Sequence, residues 1–281
     1  MKFGMSTWSL LNTDVYGAID AIARERYQFI ELWGDIPHAY HECVDKKKLK
    51  AALSSYGIET TLHAPIADLN PAAPSGAVRS AVTKTLIEFV KFGRYLGSTR
   101  ITVHPGSVHS SSLVEESARN SGLVLRELIR AADGAIELNV ENQVRSQSPF
   151  HFPLGSDYES MRQLILQSDR LGVTLDTGHA HASGIDPVLL YRQLRGRVTE
   201  IHLNDNMGGA DEHLAPGAGT AKLERLIGAA RSSGVYVCLE LNPHRLSPDE
   251  VLRAGARQRA AWERRKPAQG RSRARKGQDR P

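Results

Sequence analysis

Short apolar runs rich in Val, Ile and Thr recur along the chain and alternate with longer amphipathic stretches. Runs of this kind are typical of parallel strands that are buried on both faces. Eight of them predict strands, at residues 2–7, 28–33, 58–63, 100–104, 136–141, 172–177, 198–203 and 235–241. The stretches between them, such as 79–96 and 113–132, have the apolar periodicity of helices. Leu96-Gly97 and Leu171-Gly172 have the sequence of a helix end.

Strand and helix alternate eight times, which predicts a parallel sheet with crossover helices. The count of eight favours closure, so we expect an α/β fold with a single (β/α)8 TIM barrel. A length of 281 residues suits one such barrel. The loops after the predicted strands are long, polar and rich in Gly and Pro, whereas the connections into strands are mostly short. This asymmetry predicts an active face at the C-terminal ends of the strands.

The positive charge of the chain is concentrated at its C-terminus. The whole chain has 36 Lys or Arg and 31 Asp or Glu residues, but residues 256–281 contain ten basic residues and only two acidic ones. The remainder is therefore slightly acidic. We predict a barrel domain over residues 1–255 and a disordered basic tail over 256–281. The tail is either a solvated extension or a loose contact for nucleic acid or a membrane surface.

Several classes of protein are disfavoured by composition. No apolar stretch approaches 20 residues, so we expect no transmembrane helix and no membrane partner. The start of the chain, MKFGMSTWSLL, is typical of a strand rather than a signal peptide. The two cysteines, Cys43 and Cys238, provide no disulfide framework, and a cytoplasmic location fits them.

Nine potential metal ligands lie mostly just past the apolar runs. They are His63, His104, Glu141, Asp176, His179, His202, Asp211, His213 and Glu240. A barrel would bring such residues together, because side chains at the C-terminal ends of its strands converge on one mouth. Carboxylate and imidazole ligands together suit a divalent metal, with Zn or Mn expected.

The strongest four candidates each end one of the predicted strands 5 to 8. They are Glu141, Asp176, His202 and Glu240. A charged group at the end of an apolar run is costly to bury without a partner, and a shared cation removes that cost. Any single acid at such a position could instead cap a helix or form a salt bridge. Four in consecutive strands favour a metal.

The other five candidates form a second layer. His179 follows Asp176 by three residues, and Asp211 and His213 are two apart, which would put both on one side of an extended loop. His63 and His104 end predicted strands 3 and 4. The remaining histidines are expected on the surface or in substrate loops; they are His38, His41, His109, His151, His181 and His244.

The ordered series LHAP, VHPG, NVEN, LDTGH, IHLND, DEH, GAGT and LELNP resembles the motifs of the xylose-isomerase-like TIM-barrel superfamily. The similarity runs from residue 2 to about residue 250. The superfamily includes sugar and sugar-phosphate isomerases and epimerases, and also AP endonucleases of the endonuclease IV type. The resemblance implies one divalent ion on the four inner ligands for an isomerase, or three zinc ions on all nine ligands for the nuclease.

The isomerase hypothesis gives these residues roles in proton transfer. Glu141 and Glu240 would move a proton on the two faces of a carbon through an enediolate that a metal stabilises, and His179 would donate a hydrogen bond to a small sugar-type substrate. Trp8, Trp33 and Phe150 could form an apolar wall, although core packing is the more common role. Arg145 could clamp the substrate or simply be solvated. Gly217 and Gly219 could bind a phosphate or merely permit a tight turn, and the helix after Ser247-Pro248 is a second anion candidate.

The nuclease is the alternative, and it needs basic contacts to phosphates. The loop GDIPHAYHE has no basic residue before Lys46, APIADLNP lacks the nuclease's Tyr, and NDNMGGADEH lacks its Ser-Lys element. We therefore favour a metal-dependent isomerase or epimerase. The presence of all nine ligands is the main argument for the nuclease. Nucleic acid is expected only for the nuclease or through the tail. A barrel that binds a ligand without catalysis is a third class, and the oligomeric state is not predicted.

Overall fold

The computed structural model describes residues 1–264 and contains the eight strands of a barrel. The strands are β1 Lys2–Ser6, β2 Phe29–Trp33, β3 Glu59–His63, β4 Arg100–Val103, β5 Glu137–Glu141, β6 Leu171–Asp176, β7 Val198–Leu203 and β8 Tyr236–Leu239. The helices are α1 Val15–Arg24, α2 Lys46–Tyr56, α3 Gly76–Leu96, α4 Val114–Ala132, α5 Tyr158–Ile165, α6 Thr177–Ala182, α7 Pro187–Gln193, α8 Leu223–Ala230 and α9 Pro248–Arg264. Two short 3-10 helices occupy Thr7–Leu10 and Ser111–Leu113.

The eight strands are parallel and form a closed barrel in chain order. Closure is made by β1 and β8, whose register runs from Lys2 opposite Tyr236 to Met5 opposite Leu239. The predicted (β/α)8 barrel is therefore confirmed, with strand ends that differ from the predicted ones by at most two residues. All eight C-terminal strand ends face one side of the molecule, which we call the mouth.

Helix caps fix the turns that connect strands and helices. Ser75 accepts a hydrogen bond from the backbone of Val78 at the start of α3, and Gly97 ends the same helix with a left-handed φ of 81°. Glycine adopts this conformation without steric cost, as the sequence predicted for Leu96-Gly97.

The helix end predicted at Leu171-Gly172 is wrong, because both residues lie in β6. A Cβ at Gly172 would lie 2.2 Å from Oδ1 of Asn139. The glycine is thus explained by close approach of a neighbouring side chain and not by a helix cap.

The main apolar core lies between the strands and the surrounding helices. The middle of the barrel interior is instead a layer of buried polar side chains. Thr102 and Thr174 are hydrogen-bonded at 2.7 Å, and Asn139 donates to Thr174 at 3.1 Å. Directly above this layer, at the mouth, stand the residues of the candidate site.

The C-terminal helix α9 extends past residue 255, where the sequence predicted the barrel to end. Gln258 donates to the carbonyl of Pro216 at 2.7 Å, and Arg259 lies 3.8 Å from Glu25. These contacts tie the first part of the predicted tail to the barrel, which corrects the predicted boundary. Residues 265–281 of that prediction lie outside the described residues. No helix in the described range is long and apolar enough to span a membrane.

Candidate metal centre

Glu141, the last residue of β5, lies at the centre of the mouth and contacts histidines from three other strand ends. Its Oε2 is 3.2 Å from Nε2 of His63 and 2.8 Å from Nε2 of His104. Its Oε1 is 2.9 Å from Nδ1 of His202. Barrel closure brings these four residues together, although 139 positions separate the first from the last.

The four candidates from β5 to β8 form one compact group. One ligand atom from each of Glu141, Asp176, His202 and Glu240 lies within 4.8 Å of the others, and all four residues are buried. His202 Nδ1 is also 3.5 Å from Oε2 of Glu240. A single divalent ion fits between donor atoms at this spacing.

A second group adjoins the first. Asp176, His179 and His213 also place ligand atoms within 4.8 Å of one another. Asp211 Oδ2 is 3.3 Å from Nε2 of His179 and 3.0 Å from Nε2 of His213. The two side chains lie together, as predicted, but the chain is not extended at His213, which has a left-handed φ of 47°. All nine candidate ligands thus lie in one connected cluster.

Asp176 combines two roles that the sequence left as alternatives. Its Oδ1 accepts from the backbone N–H of His179 at 2.7 Å, which caps α6, and its Oδ2 accepts from Asn204 at 2.8 Å. The carboxylate is therefore held in a fixed orientation inside the ligand group. Both oxygens retain lone pairs that a cation can use.

The histidine rings are anchored in a way that suits metal binding. Nδ1 of three rings lies against a backbone carbonyl, at 2.8 Å from Ala64 for His63, 2.7 Å from Asn142 for His179 and 3.2 Å from Glu240 for His213. A neutral ring that donates through Nδ1 leaves a lone pair on Nε2. In each case Nε2 faces a carboxylate of the cluster, so the rings are oriented as ligands usually are.

The electrostatics of the cluster match an ion of positive charge. Burial, with a contribution from Glu31, raises the pKa of Glu240 to about 7, even though His202 and His213 oppose the shift. Burial by itself would lower the pKa of His63, but Glu141 and other carboxylates raise it to about 9. No lysine or arginine in the described chain pairs with these carboxylates. Histidine protons balance the carboxylates here, and a divalent cation would take over that role by displacing them; the mixed N and O donors fit zinc or manganese.

Two tryptophans line one side of the cluster. The ring centroid of Trp8 is 4.7 Å from that of His213, and Trp33 is 4.5 Å from His63. The two indoles are 6.3 Å apart. Phe150, expected in the same wall, has 76% of its surface exposed.

The predicted anion-binding elements already contact the protein's own carboxylates. Asp205 accepts from the backbone N–H of Gly217 at 2.9 Å and of Ala221 at 3.1 Å. A Cβ at Gly219 would lie 2.3 Å from the carbonyl of Asn206.

The other two candidate substrate-binding elements, the start of α9 and Arg145, also contact carboxylates of the protein. Glu250 accepts from both the N–H and the hydroxyl of Ser247, at the start of α9. Arg145 lies 3.4 Å from Asp157.

Sequence reasoning did not foresee the burial of two loop histidines and missed two acids. His38 is buried and lies 3.0 Å from the carbonyl of Thr13, and the largely buried ring of His41 packs near Phe89. Both histidines belong to the loop after β2, as loop residues were expected to, but their rings are buried. Glu31 and Glu200, both fully buried in the barrel interior, were not predicted, although each is an acid inside an apolar run. They lie in mid-strand rather than at a strand end.

The chain is similar to known proteins along most of its length. A family model described as xylose isomerase-like TIM barrel matches residues 19–264. An uncharacterised protein of Methanocaldococcus jannaschii is 30% identical over 227 residues, covering 78% of this chain and 75% of the relative. A probable endonuclease 4 of Campylobacter concisus is 26% identical, covering 73% of this chain and 79% of the relative.

Solved structures agree on the architecture. The crystal structure of a D-tagatose 3-epimerase-like protein superposes with a TM-score of 0.82, covering 94% of this chain and 97% of that protein at 24% identity. At this identity the likeness concerns the fold alone. Together, the match over most of the chain and the relative at 30% identity show that the protein belongs to the xylose isomerase-like TIM-barrel family.

Proposed function

We propose that the protein is a divalent-metal-dependent isomerase or epimerase that acts on a small hydroxy-carbonyl compound of the sugar class. The observation that carries the proposal is the inner group, in which Glu141 and Glu240 both approach Nδ1 of His202, at 2.9 and 3.5 Å. Proton transfer at a carbon next to a carbonyl needs a cation and groups that can take and return the proton. The inner group supplies candidates for both.

Four side chains would hold the metal, namely Glu141, Asp176, His202 and Glu240. A divalent cation, when bound, polarises the substrate carbonyl and thereby acidifies the neighbouring C–H. Asp176 is fixed by its bonds to Asn204 and to the backbone of His179, and so keeps its orientation when substrate enters.

The two glutamates differ in their surroundings. Burial raises the pKa of Glu240 to about 7, and a bound cation would favour its ionised form, which can take a proton. Burial alone would raise the pKa of Glu141, but His202 and His104 outweigh it and hold the pKa well below its usual range. His179, at the edge of the same cluster, would hydrogen-bond a substrate oxygen through Nε2.

The surroundings of the cluster support a substrate without a phosphate group. Arg145 and Arg245, from the loops after β5 and β8, are paired with Asp157 and Glu212 at 3.4 and 3.0 Å. Trp8 and Trp33 offer flat apolar surface, against which the C–H face of a sugar packs well.

Endonuclease IV-type hydrolysis at abasic DNA is the second candidate. The observation in its favour is the completeness of the ligand set, because all nine side chains lie in one cluster with three overlapping groups at its centre. Three zinc ions on these ligands could bind a phosphodiester and activate a hydroxide. The paired arginines of the mouth weigh against this candidate, since binding to a duplex relies on free Lys and Arg contacts.

One experiment separates the candidates. Purified protein is analysed for bound metal and then incubated in deuterated water with free ketoses, their phosphates and an abasic-site duplex. We expect bound metal, together with exchange of a substrate C–H for deuterium on a free ketose and none once a chelator has removed the metal. DNA cleavage that requires metal, without exchange on any sugar, would establish the nuclease instead. Protein that binds no divalent metal would refute both.

A further inference from the structure

His202 differs from the other anchored histidines of the mouth in the group that holds it. His63, His179 and His213 face a backbone carbonyl through Nδ1, as described above. The Nε2 of His202 instead lies 3.0 Å from Oε2 of Glu31, the middle residue of β2. Both side chains are completely buried.

The ring of His202 is therefore oriented in the reverse sense to those of the other three histidines. Its Nδ1, 2.9 Å from Glu141 and 3.5 Å from Glu240, is the nitrogen that faces the inner ligand group. For Nδ1 to offer a lone pair to a metal, the proton of the neutral ring must lie on Nε2. The carboxylate of Glu31 is the acceptor that keeps it there.

We propose that Glu31 is a positioning residue of the metal centre, whose carboxylate accepts the Nε2–H of His202 and so fixes the tautomer that presents Nδ1 to the metal. The inference rests on the metal-binding part of the proposed function and holds for either reaction. Among the anchors described above, Glu31 is the one that a side-chain substitution removes, because the others are main-chain carbonyls.

The lower layer of the barrel holds Glu31 in place. The thiol of Cys238 lies 3.8 Å from its Oε1, the oxygen that does not contact His202. Glu200 from β7 completes this layer with a fully buried side chain, and one of its oxygens accepts from Thr61 at 3.4 Å. Glu31 therefore has little freedom to turn away from His202.

Removal of the Glu31 carboxylate should weaken metal binding. The buried Nε2–H of His202 would lose its acceptor, and the ring could then place its proton on Nδ1, where it would block the metal. Removing a partner of this kind typically weakens metal binding about 10–100-fold. The bound ion itself would keep its ligands, so the number of ions should not change.

The test compares two glutamates of the same layer. Glu31→Leu removes the acceptor at similar size, Glu31→Gln keeps an acceptor oxygen but removes the charge, and Glu200→Gln is the matched control that does not contact His202. Zinc affinity is measured by competition with a chromophoric chelator. The hydrogen bond of His202 is read from the proton–nitrogen NMR signal of its Nε2–H in the zinc-loaded protein.

We expect zinc affinity to fall about 10–100-fold in Glu31→Leu and about tenfold in Glu31→Gln, with wild-type affinity in Glu200→Gln. The Nε2–H signal of His202 should lie downfield in the zinc-loaded wild type, as for a proton bonded to a carboxylate, and should move upfield in Glu31→Leu. Wild-type affinity in Glu31→Leu would overturn the proposal, and Glu31→Ala, which also lacks an acceptor, decides the matter if Glu31→Leu does not fold. The loss of one bound ion would also overturn it, because Glu31 would then be a ligand. If the wild type itself bound no metal, the proposed function would fail, whereas metal binding that ignores Glu31 would refute only the positioning role.

Discussion

The two ends of the barrel use charged side chains in opposite ways. At the N-terminal end, the first residues of several strands form pairs of opposite charge. Lys2 pairs with Glu59 and donates to the hydroxyl of Tyr236 at 2.7 Å. Arg100 lies 2.7 Å from Glu137, with its guanidinium 3.5 Å above the ring of Tyr236.

At the mouth, carboxylates face histidines and one another, and no lysine or arginine of the described chain joins them. Here the buried carboxylates are balanced by protons on neighbouring histidines, as the raised pKa of about 9 for His63 and for His213 indicates. The N-terminal end pairs its charges permanently and therefore serves stability, whereas under the proposed function a metal ion displaces the histidine protons at the mouth. The following predictions test this contrast, beginning with the largest effect.

Glu141→Gln should disable the mouth and leave the fold intact. We expect turnover on a substrate found in the panel above to fall about 10²–10⁴-fold, because the variant loses both a metal ligand and an ionised carboxylate. The matched change at the other end, Glu59→Gln, should retain turnover per metal-loaded molecule. Steady-state rates and circular dichroism of both proteins measure this, and equal activity of Glu141→Gln and wild type would contradict it.

Metal should stabilise the folded barrel through the mouth alone. At a free metal concentration 100 times its Kd, a ligand that binds only the native state adds about 2.7 kcal/mol to the free energy of unfolding. We expect a gain of this size in wild type and in Glu59→Gln, and a much smaller one in Glu141→Gln. Urea denaturation with and without zinc measures it. An equal gain in all three proteins would place the binding elsewhere.

Arg100→Met should weaken the N-terminal end without affecting the mouth. The largely buried guanidinium loses its bond to Glu137, and the loss of such a charged hydrogen bond costs about 1–3 kcal/mol of stability. Arg130→Met, which removes an exposed pair with Glu127, serves as the control and should change stability by less than about 0.5 kcal/mol. Zinc affinity should be unchanged in both variants, and a shift in Arg100→Met would show that the two ends are coupled.

The smallest effect concerns acid stability. Burial alone would raise the pKa of Glu59, but its bonds to Lys2, Tyr236 and Thr99 outweigh this and lower the pKa below its usual 4.5. A lowered pKa means that the ionised group stabilises the fold at higher pH, and that this contribution is lost as pH falls through the folded value. Glu59→Gln should therefore reduce the loss of stability between about pH 5 and 3. An unchanged acid slope would argue against the role of this network.

The sequence predicted the strands well and the details of the site less well. Runs such as 136–141 and 198–203 identify strands because apolar residues, many of them β-branched, recur along them between polar ones. The strand-end ligands followed from the same pattern. Glu31 was not predicted as a site residue because the run FIELW does not show whether its acid points into the barrel. The side chain that Glu31 contacts, His202, lies more than 160 residues further along the chain.

Local sequence also misjudged features that depend on neighbours. Gly172 has the sequence of a helix end, yet it lies in a strand where the side chain of Asn139 on the adjacent strand leaves no room for a Cβ. The glycines of the 217–220 loop suggested an anion site, but Asp205 takes the backbone amides of that loop. In both cases the deciding atom lies in a different part of the chain.

The sequence by itself determined the eight-stranded barrel, the family and the nine ligand types, because hydrophobic period and strand-end position are local properties. Only the tertiary structure decided how the ligands divide into groups, which nitrogen each histidine turns toward them, and which arginines are already paired. Those properties depend on atoms a few ångströms apart in space that belong to different strands, and barrel closure sets these distances.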